Sequence, residues 1–300
     1  MSGSLKCYKV GNFIDDGGAS FHVVRGRNSS CVGQYFMVYY DIYELERECV
    51  VMGVWKRGNA PAICTPVTGK TAAEIMEQTD TLIRLKPDVI EWRGDFFEAI
   101  YETESVLEII KEIKTKTDIP LMFTIRSERE GGEPVALSEA EKVNLLKVVC
   151  ERSAVDFIDY EVLSEKEYVT AIQKVAQKHG KKLVLSYHNF SETPATKELL
   201  AIGKEMDDYG AHFVKLAVMP QSKEDVYRLL ELTWRLDKKV SGAVITMSMG
   251  ELGIFSRAIG WAYGSVLTFA VGVEASAPGQ VPIEQLRKSI QSLQSLCKFE

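Results

Sequence analysis

Residues 212–220 read His212-Phe213-Val214-Lys215-Leu216-Ala217-Val218-Met219-Pro220, a largely apolar run that is short enough to be one buried strand. A strand covered on both faces is almost continuously hydrophobic, and lysine is rarely buried without a purpose. Because strand side chains alternate between faces, Phe213, Lys215 and Ala217 share one face. The run therefore predicts a buried strand of a parallel sheet, with an amine that points into whatever this face encloses.

The amine of Lys215 has two interpretations. A lysine in water has a pKa of about 10.4, and desolvation and cationic neighbours lower that value, which provides a nucleophile near neutral pH. Such an amine forms Schiff bases with carbonyl substrates. Alternatively, the head group reaches solvent at the end of the strand or pairs with a carboxylate. The segment alone leaves both interpretations open.

Length and composition limit the class of protein. Three hundred residues with 46% hydrophobic content suit one (β/α) barrel or two smaller domains. We expect a cytoplasmic protein, because there is neither an apolar run of about 18 residues nor a signal-peptide pattern. Six cysteines without CxxC spacing indicate reduced thiols and no structural zinc. A net charge of −6 without a basic block argues against nucleic-acid binding.

A repeating unit of strand and helix begins after residue 50. Predicted strands cover residues 62–66, 88–93, 121–126, 157–160, 182–188, 212–217, 241–247 and 265–270. Amphipathic stretches lie between them, including residues 71–85, 105–114, 138–151 and 222–236, and residues 283–296 form the last. The strands start roughly every 29 residues, the length of a βα unit. Eight units in one domain predict a closed (β/α)8 TIM barrel.

Residues 1–48 differ from the rest of the chain. Gly, Ser and Asn interrupt them, and their compact apolar piece covers residues 35–40. We interpret residues 1–48 as an N-terminal extension of uncertain order and residues 49–300 as the barrel domain.

Polar side chains concentrate where the predicted strands end, which is where the reactive groups of a barrel lie. Glu91 and Arg93 end the second strand, Arg126 ends the third and His188 ends the fifth. Each has an ordinary explanation, since a terminal Glu–Arg pair is usually a salt bridge and a lone histidine is often structural. The same holds for the methionines Met247 and Met249 after the seventh strand, which are usually core residues.

The combination of these residues is more informative than any one of them, because a barrel brings the strand ends into one cavity. Four cations, Arg93, Arg126, Lys215 and Arg257, would face two carboxylates, Glu91 and Glu130. A local excess of positive charge predicts an anionic ligand and a depressed pKa for the amine. His188 would act as general acid and base near pH 7, with Glu130 orienting its imidazole.

The segment 274–280 after the eighth strand, Glu-Ala-Ser-Ala-Pro-Gly-Gln, has the composition of a mobile lid. Ser276 and Gln280 would then donate hydrogen bonds to a bound ligand. An ordinary turn before the last helix has the same composition.

Together these motifs resemble type I 3-dehydroquinate dehydratase. They are Glu91-Trp92-Arg93, Phe123-Thr124-Ile125-Arg126 with Glu130-Gly131-Gly132, Ser186-Tyr187-His188, Val214-Lys215-Leu216-Ala217, Ile245-Thr246-Met247-Ser248-Met249 and Ala275-Ser276-Ala277-Pro278-Gly279-Gln280. The resemblance covers roughly residues 50–297. It implies a homodimeric (β/α) barrel without cofactor or metal, in which a hairpin that includes Val50–Asn59 covers the amino-terminal end.

The resemblance also implies a role for each site residue. Lys215 matches the lysine that condenses with the ring ketone of 3-dehydroquinate, His188 matches the base and Glu130 matches the carboxylate that supports it. Arg257 matches the arginine that holds the substrate carboxylate. The other matches are Glu91, Arg93 and Arg126, which grip hydroxyls and order the site, the apolar wall residues Met247, Met249 and Phe269, and the lid contacts Ser276 and Gln280. The implied product is 3-dehydroshikimate, on the route to chorismate and the aromatic amino acids.

Two other functions compete with this interpretation. A class I aldolase would also need a lysine on the sixth strand, but it typically handles sugar phosphates, and no Gly-rich phosphate site follows the seventh and eighth strands. A barrel that binds a small carboxylate without catalysis would need Lys215 or His188 to be missing, and both are present.

Overall fold

The structure is a computed structural model that describes residues 11–14, 20–23 and 60–296. The chain divides into two compact units, Met1–Asp41 and Ile42–Glu300. In the first unit, Gly11–Ile14 pairs with Ser20–Val23 in an antiparallel ladder. The predicted apolar piece at 35–40 and the predicted hairpin segment Val50–Asn59 lie outside the described residues, so the predicted division at residue 48 stays a prediction.

The described part of the second unit, residues 60–296, contains eight parallel strands, as the sequence predicts. They are β1 (Ala62–Val67), β2 (Val89–Arg93), β3 (Leu121–Thr124), β4 (Phe157–Glu161), β5 (Lys182–Asn189), β6 (Phe213–Val218), β7 (Ala243–Ser248) and β8 (Leu267–Phe269). Their order is β8-β1-β2-β3-β4-β5-β6-β7, and a parallel bridge between Val244 and Ser265 joins the two edges. The sheet is therefore a nearly closed barrel, and the predicted (β/α)8 fold is confirmed.

Helices alternate with these strands. They are α1 (Ala72–Leu85), α2 (Thr103–Lys116), α3 (Glu139–Arg152), α4 (Lys166–Lys178), α5 (Thr196–Asp208), α6 (Lys223–Asp237), α7 (Gly250–Ile259) and α8 (Ile283–Leu296). Ser138 and Ser222 begin α3 and α6 with reciprocal capping boxes, in which Glu141 and Asp225 bond back to the backbone of the capping residue. Each box satisfies backbone N–H groups that a helix start would otherwise leave unpaired.

The two faces of β6 enter different cores. Val214, Leu216 and Val218 belong to the large apolar cluster between barrel and helices. Phe213 and Ala217 belong to a second cluster inside the barrel. This alternation matches the period of two predicted from the sequence, and it places the side chain of Lys215 on the barrel side of the strand.

Strand β3 ends at Thr124, two residues earlier than the predicted strand 121–126. The backbone N–H of Arg126 donates to Asp95 Oδ1 at 3.1 Å, so it bonds to a side chain and does not continue the ladder with β2. Arg126 thus belongs to the loop at the barrel mouth, although it still lies at the predicted end of the barrel.

The described residues also bear on the predicted class of protein. Cys64 and Cys150 are buried free thiols. Among the helices of the described ranges, none has the length and apolar character needed to cross a membrane.

Candidate active site

A cavity of about 410 Å³, including solvent at its mouth, lies at the carboxyl ends of the barrel strands. All twelve residues that the sequence singled out line it. They are Glu91, Arg93, Arg126, Glu130, His188, Lys215, Met247, Met249, Arg257, Phe269, Ser276 and Gln280. The structure therefore brings together side chains that lie up to 189 positions apart in the chain, Glu91 and Gln280 being the extremes.

Lys215 is buried within this cavity, with 3% of the residue exposed. Its Nζ lies 2.8 Å from Asp159 Oδ2 and 3.7 Å from Glu91 Oε1, and it sits 4.6 Å from the centre of the Phe269 ring. The head group does not escape to solvent. It pairs with carboxylates, as one interpretation of the sequence required, and it also faces the cavity, as the other required. The two interpretations are compatible.

Asp159 is the most important site residue that sequence reasoning missed. It projects from β4 and is fully buried, and its Oδ1 accepts hydrogen bonds from Arg126 Nη2 and Ser186 Oγ, each at 2.6 Å. Burial would raise the pKa of this carboxyl, but Arg126 and Lys215 outweigh burial and hold it well below its usual range. A charged residue in the middle of the predicted strand 157–160 was the available signal, the same signal that drew attention to Lys215.

The charge balance predicted from the sequence is wrong. Three further buried carboxylates, Asp95, Asp159 and Glu161, lie among the cations. Asp95 holds Arg93 through two hydrogen bonds of 2.8 and 2.6 Å, and Glu161 lies 3.4 Å from Arg126. The charged groups of the described residues that form ion pairs with Lys215 are the carboxylates Asp159 and Glu91. Buried charges need such partners, and these partners are loop and strand residues that no periodic pattern marks.

His188 and Glu130 form a buried pair across the mouth of the barrel. Nδ1 of His188 lies 2.9 Å from Glu130 Oε2, and the backbone N–H of His188 donates to the same oxygen at 3.0 Å. Burial, together with the charges of Arg126 and Lys215, lowers the pKa of His188 well below 6.5. Burial and the neighbouring Glu161 raise the pKa of Glu130 to about 8. The imidazole is therefore uncharged at neutral pH and can accept a proton.

Two glycines fix the loop that carries Glu130. Glu130 ends a 3-10 turn that starts at Glu128, and Gly131 follows it in the left-handed region with φ of 82°. A Cβ on Gly131 would lie 2.2 Å from the Phe190 ring, and a Cβ on Gly132 would lie 2.1 Å from the carbonyl oxygen of Arg126. Only glycine allows this close approach, which brings the carboxylate of Glu130 to His188.

Arg257 projects from α7 and is buried with 1% of the residue exposed. Its Nη2 donates to the carbonyl oxygen of Pro278 at 3.1 Å, and its Nη1 lies 3.5 Å from the sulfur of Met247. Its Nε has no partner, and no carboxylate within the described residues forms an ion pair with it. Burial lowers its pKa to about 10, so the guanidinium remains charged at neutral pH. A buried cation with free donors is suited to binding an anionic group of a ligand.

The segment predicted as a lid lies over this guanidinium. The backbone N–H of Ser276 donates to Gln280 Oε1 at 3.0 Å, and Gln280 Nε2 donates to Ser276 Oγ at 3.3 Å. Gly279, with φ of 75°, packs so closely that a Cβ would lie 2.3 Å from the carbonyl oxygen of Gly250. Ser276 and Gln280 thus brace each other at the cavity wall. The mobility of this segment stays a prediction.

Comparisons with known proteins agree with this fold. A family model described as type I 3-dehydroquinase matches residues 63–296. The 3-dehydroquinate dehydratase of Geobacillus sp. (strain WCH70) is 44% identical over 245 residues, which cover 81% of this chain and 94% of that protein. The crystal structure of the enzyme from Geobacillus kaustophilus HTA426 superimposes with a TM-score of 0.80 at 40% identity, covering 82% of this chain and 96% of that one.

A second solved structure is a type I 3-dehydroquinate dehydratase from Clostridium difficile with covalently modified comenic acid. It has a TM-score of 0.76 and 36% identity, and the match covers 80% of this chain and 94% of that one.

Proposed function

Because the chain belongs to the type I 3-dehydroquinase family, a family of carbon–oxygen lyases, we propose that it dehydrates 3-dehydroquinate through a Schiff base on Lys215. The observation that carries this proposal is the buried amine of Lys215, which shares one cavity with His188 and Arg257. The three groups supply a nucleophile, a base and a cation for a carboxylate, which is the set that this reaction needs. The reaction belongs to the shikimate pathway.

The chemistry starts with the addition of the Lys215 amine to the ring ketone. The carbinolamine takes up one proton, loses one water and becomes a protonated iminium. A proton α to this iminium leaves to the neutral imidazole of His188, and the electrons move onto the iminium nitrogen to give an enamine. The enamine returns these electrons and expels the β-hydroxyl, which leaves as water with the proton held by His188. One water then hydrolyses the conjugated iminium, which releases 3-dehydroshikimate, the free amine and one proton.

The remaining side chains suit the substrate. The buried guanidinium of Arg257 would bind the carboxylate of the substrate. It would thereby gain the anionic partner that it lacks among the described residues. Glu91, Arg93 and Arg126 would contact hydroxyls and order the site, with Ser276 and Gln280 above the ligand. Met247, Met249 and Phe269 would form the apolar wall. All of these groups line the same cavity.

The proposal is tested by following the ultraviolet absorbance of a conjugated enone when the protein is mixed with 3-dehydroquinate. We expect steady formation of product, and the acid limb of kcat/KM should lie below pH 6.5, because burial lowers the pKa of His188 and leaves the base uncharged above that value. No absorbance change at any pH would refute the proposed activity. An acid limb centred above pH 6.5 would contradict the role of a buried, neutral His188.

We also propose that residues 49–300 are the catalytic unit. Among the described residues, every side chain that lines the cavity lies between Glu91 and Gln280, and the family match begins at residue 63. Deleting residues 1–48 should therefore leave kcat within about twofold of the full chain, within the small range expected for changes away from a site. Loss of folding, measured by circular dichroism, would show that the extension belongs to the core.

A homodimer in the cytoplasm completes the proposal. Large apolar side chains are exposed on α6 and α7, including Tyr227 (68%) and Phe255 (60%), and such side chains often mark an interface between proteins. Light scattering should give the molar mass of two chains, and cell fractionation should place the protein in the cytosol. A mass of one chain at micromolar concentration would exclude the dimer.

A further inference from the structure

The two oxygens of Asp159 serve different partners. Oδ1 accepts hydrogen bonds from Arg126 and Ser186, each at 2.6 Å, and these two donors fix the position of the carboxylate. Oδ2 accepts from Lys215 Nζ at 2.8 Å. One half of the carboxylate therefore anchors it to the barrel, and the other half is directed at the reacting nitrogen.

Asp159 carries its negative charge throughout the pH range in which an enzyme works. Arg126 and Lys215 overcome the effect of burial and hold the pKa of this carboxyl well below its usual range. Such a group is a poor proton carrier, because it stays ionised. It can act instead as a fixed charge beside the nitrogen.

Other titratable groups act on this nitrogen or on Asp159 from the neighbouring elements. They are Cys64 on β1, Glu91 on β2, Arg126 after β3 and His188 on β5. Burial and Glu91 raise the pKa of Cys64 well above its ordinary value, so this thiol is uncharged. Glu91 lies at 3.7 Å and also accepts a hydrogen bond from the Thr124 hydroxyl at 2.9 Å. Asp159, at 2.8 Å, is the anion nearest to the nitrogen among these groups.

We propose that Asp159 is the counterion that keeps the imine nitrogen on Lys215 protonated during the reaction. The inference rests on the proposed function, since it requires the imine to form. After condensation the iminium keeps one N–H, which can donate to Asp159 Oδ2 as the ammonium group does now. The nitrogen must be positively charged to accept the electron pair when the α-proton leaves, and it regains this charge when the hydroxyl is expelled. Asp159 neither gains nor loses a proton in any step.

The test uses the His188→Ala enzyme, in which imine should accumulate because the base is missing. Cyanoborohydride reduces a protonated iminium but not a neutral imine, so the rate of trapping on Lys215 with 3-dehydroquinate reports the protonated fraction. Adding Asp159→Asn should lower the pH at which trapping falls to half by about 1 to 3 pH units, the effect of losing a neighbouring opposite charge. Above that pH the trapping rate should fall at least about tenfold.

Glu161→Gln in the same background is the matched control. Glu161 lies two residues further along β4, is equally buried and also pairs with Arg126, but its ion pairs are with Arg126 and Arg129 and not with Lys215. In the double variant with Glu161→Gln, the pH at which trapping falls to half should equal that of His188→Ala alone.

If Asp159→Asn does not fold, Asp159→Ser supplies the same test. The serine hydroxyl of that variant still accepts a hydrogen bond from Arg126 or Ser186.

Each outcome separates this inference from the proposed function. Trapping with the same midpoint in the Asp159 variant and its parent would overturn the counterion role and leave the Schiff base intact. Equal shifts in the Asp159 and Glu161 variants would also overturn it, because the effect would then come through Arg126. Absence of any adduct in the His188→Ala parent would remove the proposed mechanism and the counterion together.

Discussion

Lys215→Ala should abolish turnover of 3-dehydroquinate, with kcat lower by on the order of 10⁴-fold or more, the scale expected when a covalent nucleophile is lost. The physical reason is that no other lysine amine lines the cavity within the described residues. Without an iminium, the electrons released with the α-proton have no acceptor. The measurement is enone formation by the purified variant at saturating substrate.

Two further variants distinguish chemistry from folding. Removing Lys215 leaves Asp159 without one buried partner, and such a loss typically costs about 3 to 5 kcal/mol of stability. Lys215→Gln retains a donor for Asp159 but has no nucleophilic amine, and it should be equally inactive. Lys142→Ala removes another buried lysine, which contacts Glu139 and the Tyr160 ring on the outside of the barrel, and it should turn over normally. An active Lys215→Gln enzyme would disprove covalent catalysis.

His188→Ala should lower kcat by about 10² to 10⁴-fold, the usual contribution of a general base, while the imine still forms. The nucleophile remains in place in this variant, since Lys215 contacts Asp159 and Glu91 and does not depend on the imidazole for its position. The Schiff base should therefore accumulate. Mass spectrometry after borohydride reduction should detect more adduct per protein in this variant than in the enzyme that retains His188, measured under turnover.

His212→Ala is the control for this prediction. His212 lies at the start of β6, where its Nδ1 accepts a hydrogen bond from the backbone of Leu183 at 3.1 Å, away from the cavity. Burial lowers its pKa to about 4, so it is also an uncharged buried imidazole. Its loss should leave kcat nearly unchanged. Equal losses of kcat in the two histidine variants would show that packing and not proton transfer is responsible.

The fold and most of the site could be predicted from the sequence because both follow from periodic patterns. Apolar strands at regular spacing predict the barrel, and a barrel brings the strand ends together. Alternation along β6 predicted Phe213 and Ala217 on one face, and the structure has both residues in the cluster inside the barrel and Val214 in the outer cluster.

The carboxylates that neutralise the site could not be predicted in the same way. Asp159 meets Lys215 across 56 positions of sequence, so this contact does not follow from local spacing. Asp95 is only two positions from Arg93, but it holds Arg93 from a 3-10 turn that no helix or strand period predicts. Their absence from the sequence interpretation led to a wrong charge balance and to the expectation of cations next to the amine. A charged residue inside a predicted strand requires a partner, and searching for that partner would have led from Lys215 to Asp159.

Borohydride reduction in the presence of 3-dehydroquinate, followed by peptide mass spectrometry, shows whether Lys215 forms the Schiff base. We expect a ligand-sized mass increase on the peptide that contains Lys215, and none when substrate is omitted. An adduct on a different lysine, or no adduct while the enzyme is turning over, would contradict this role of Lys215.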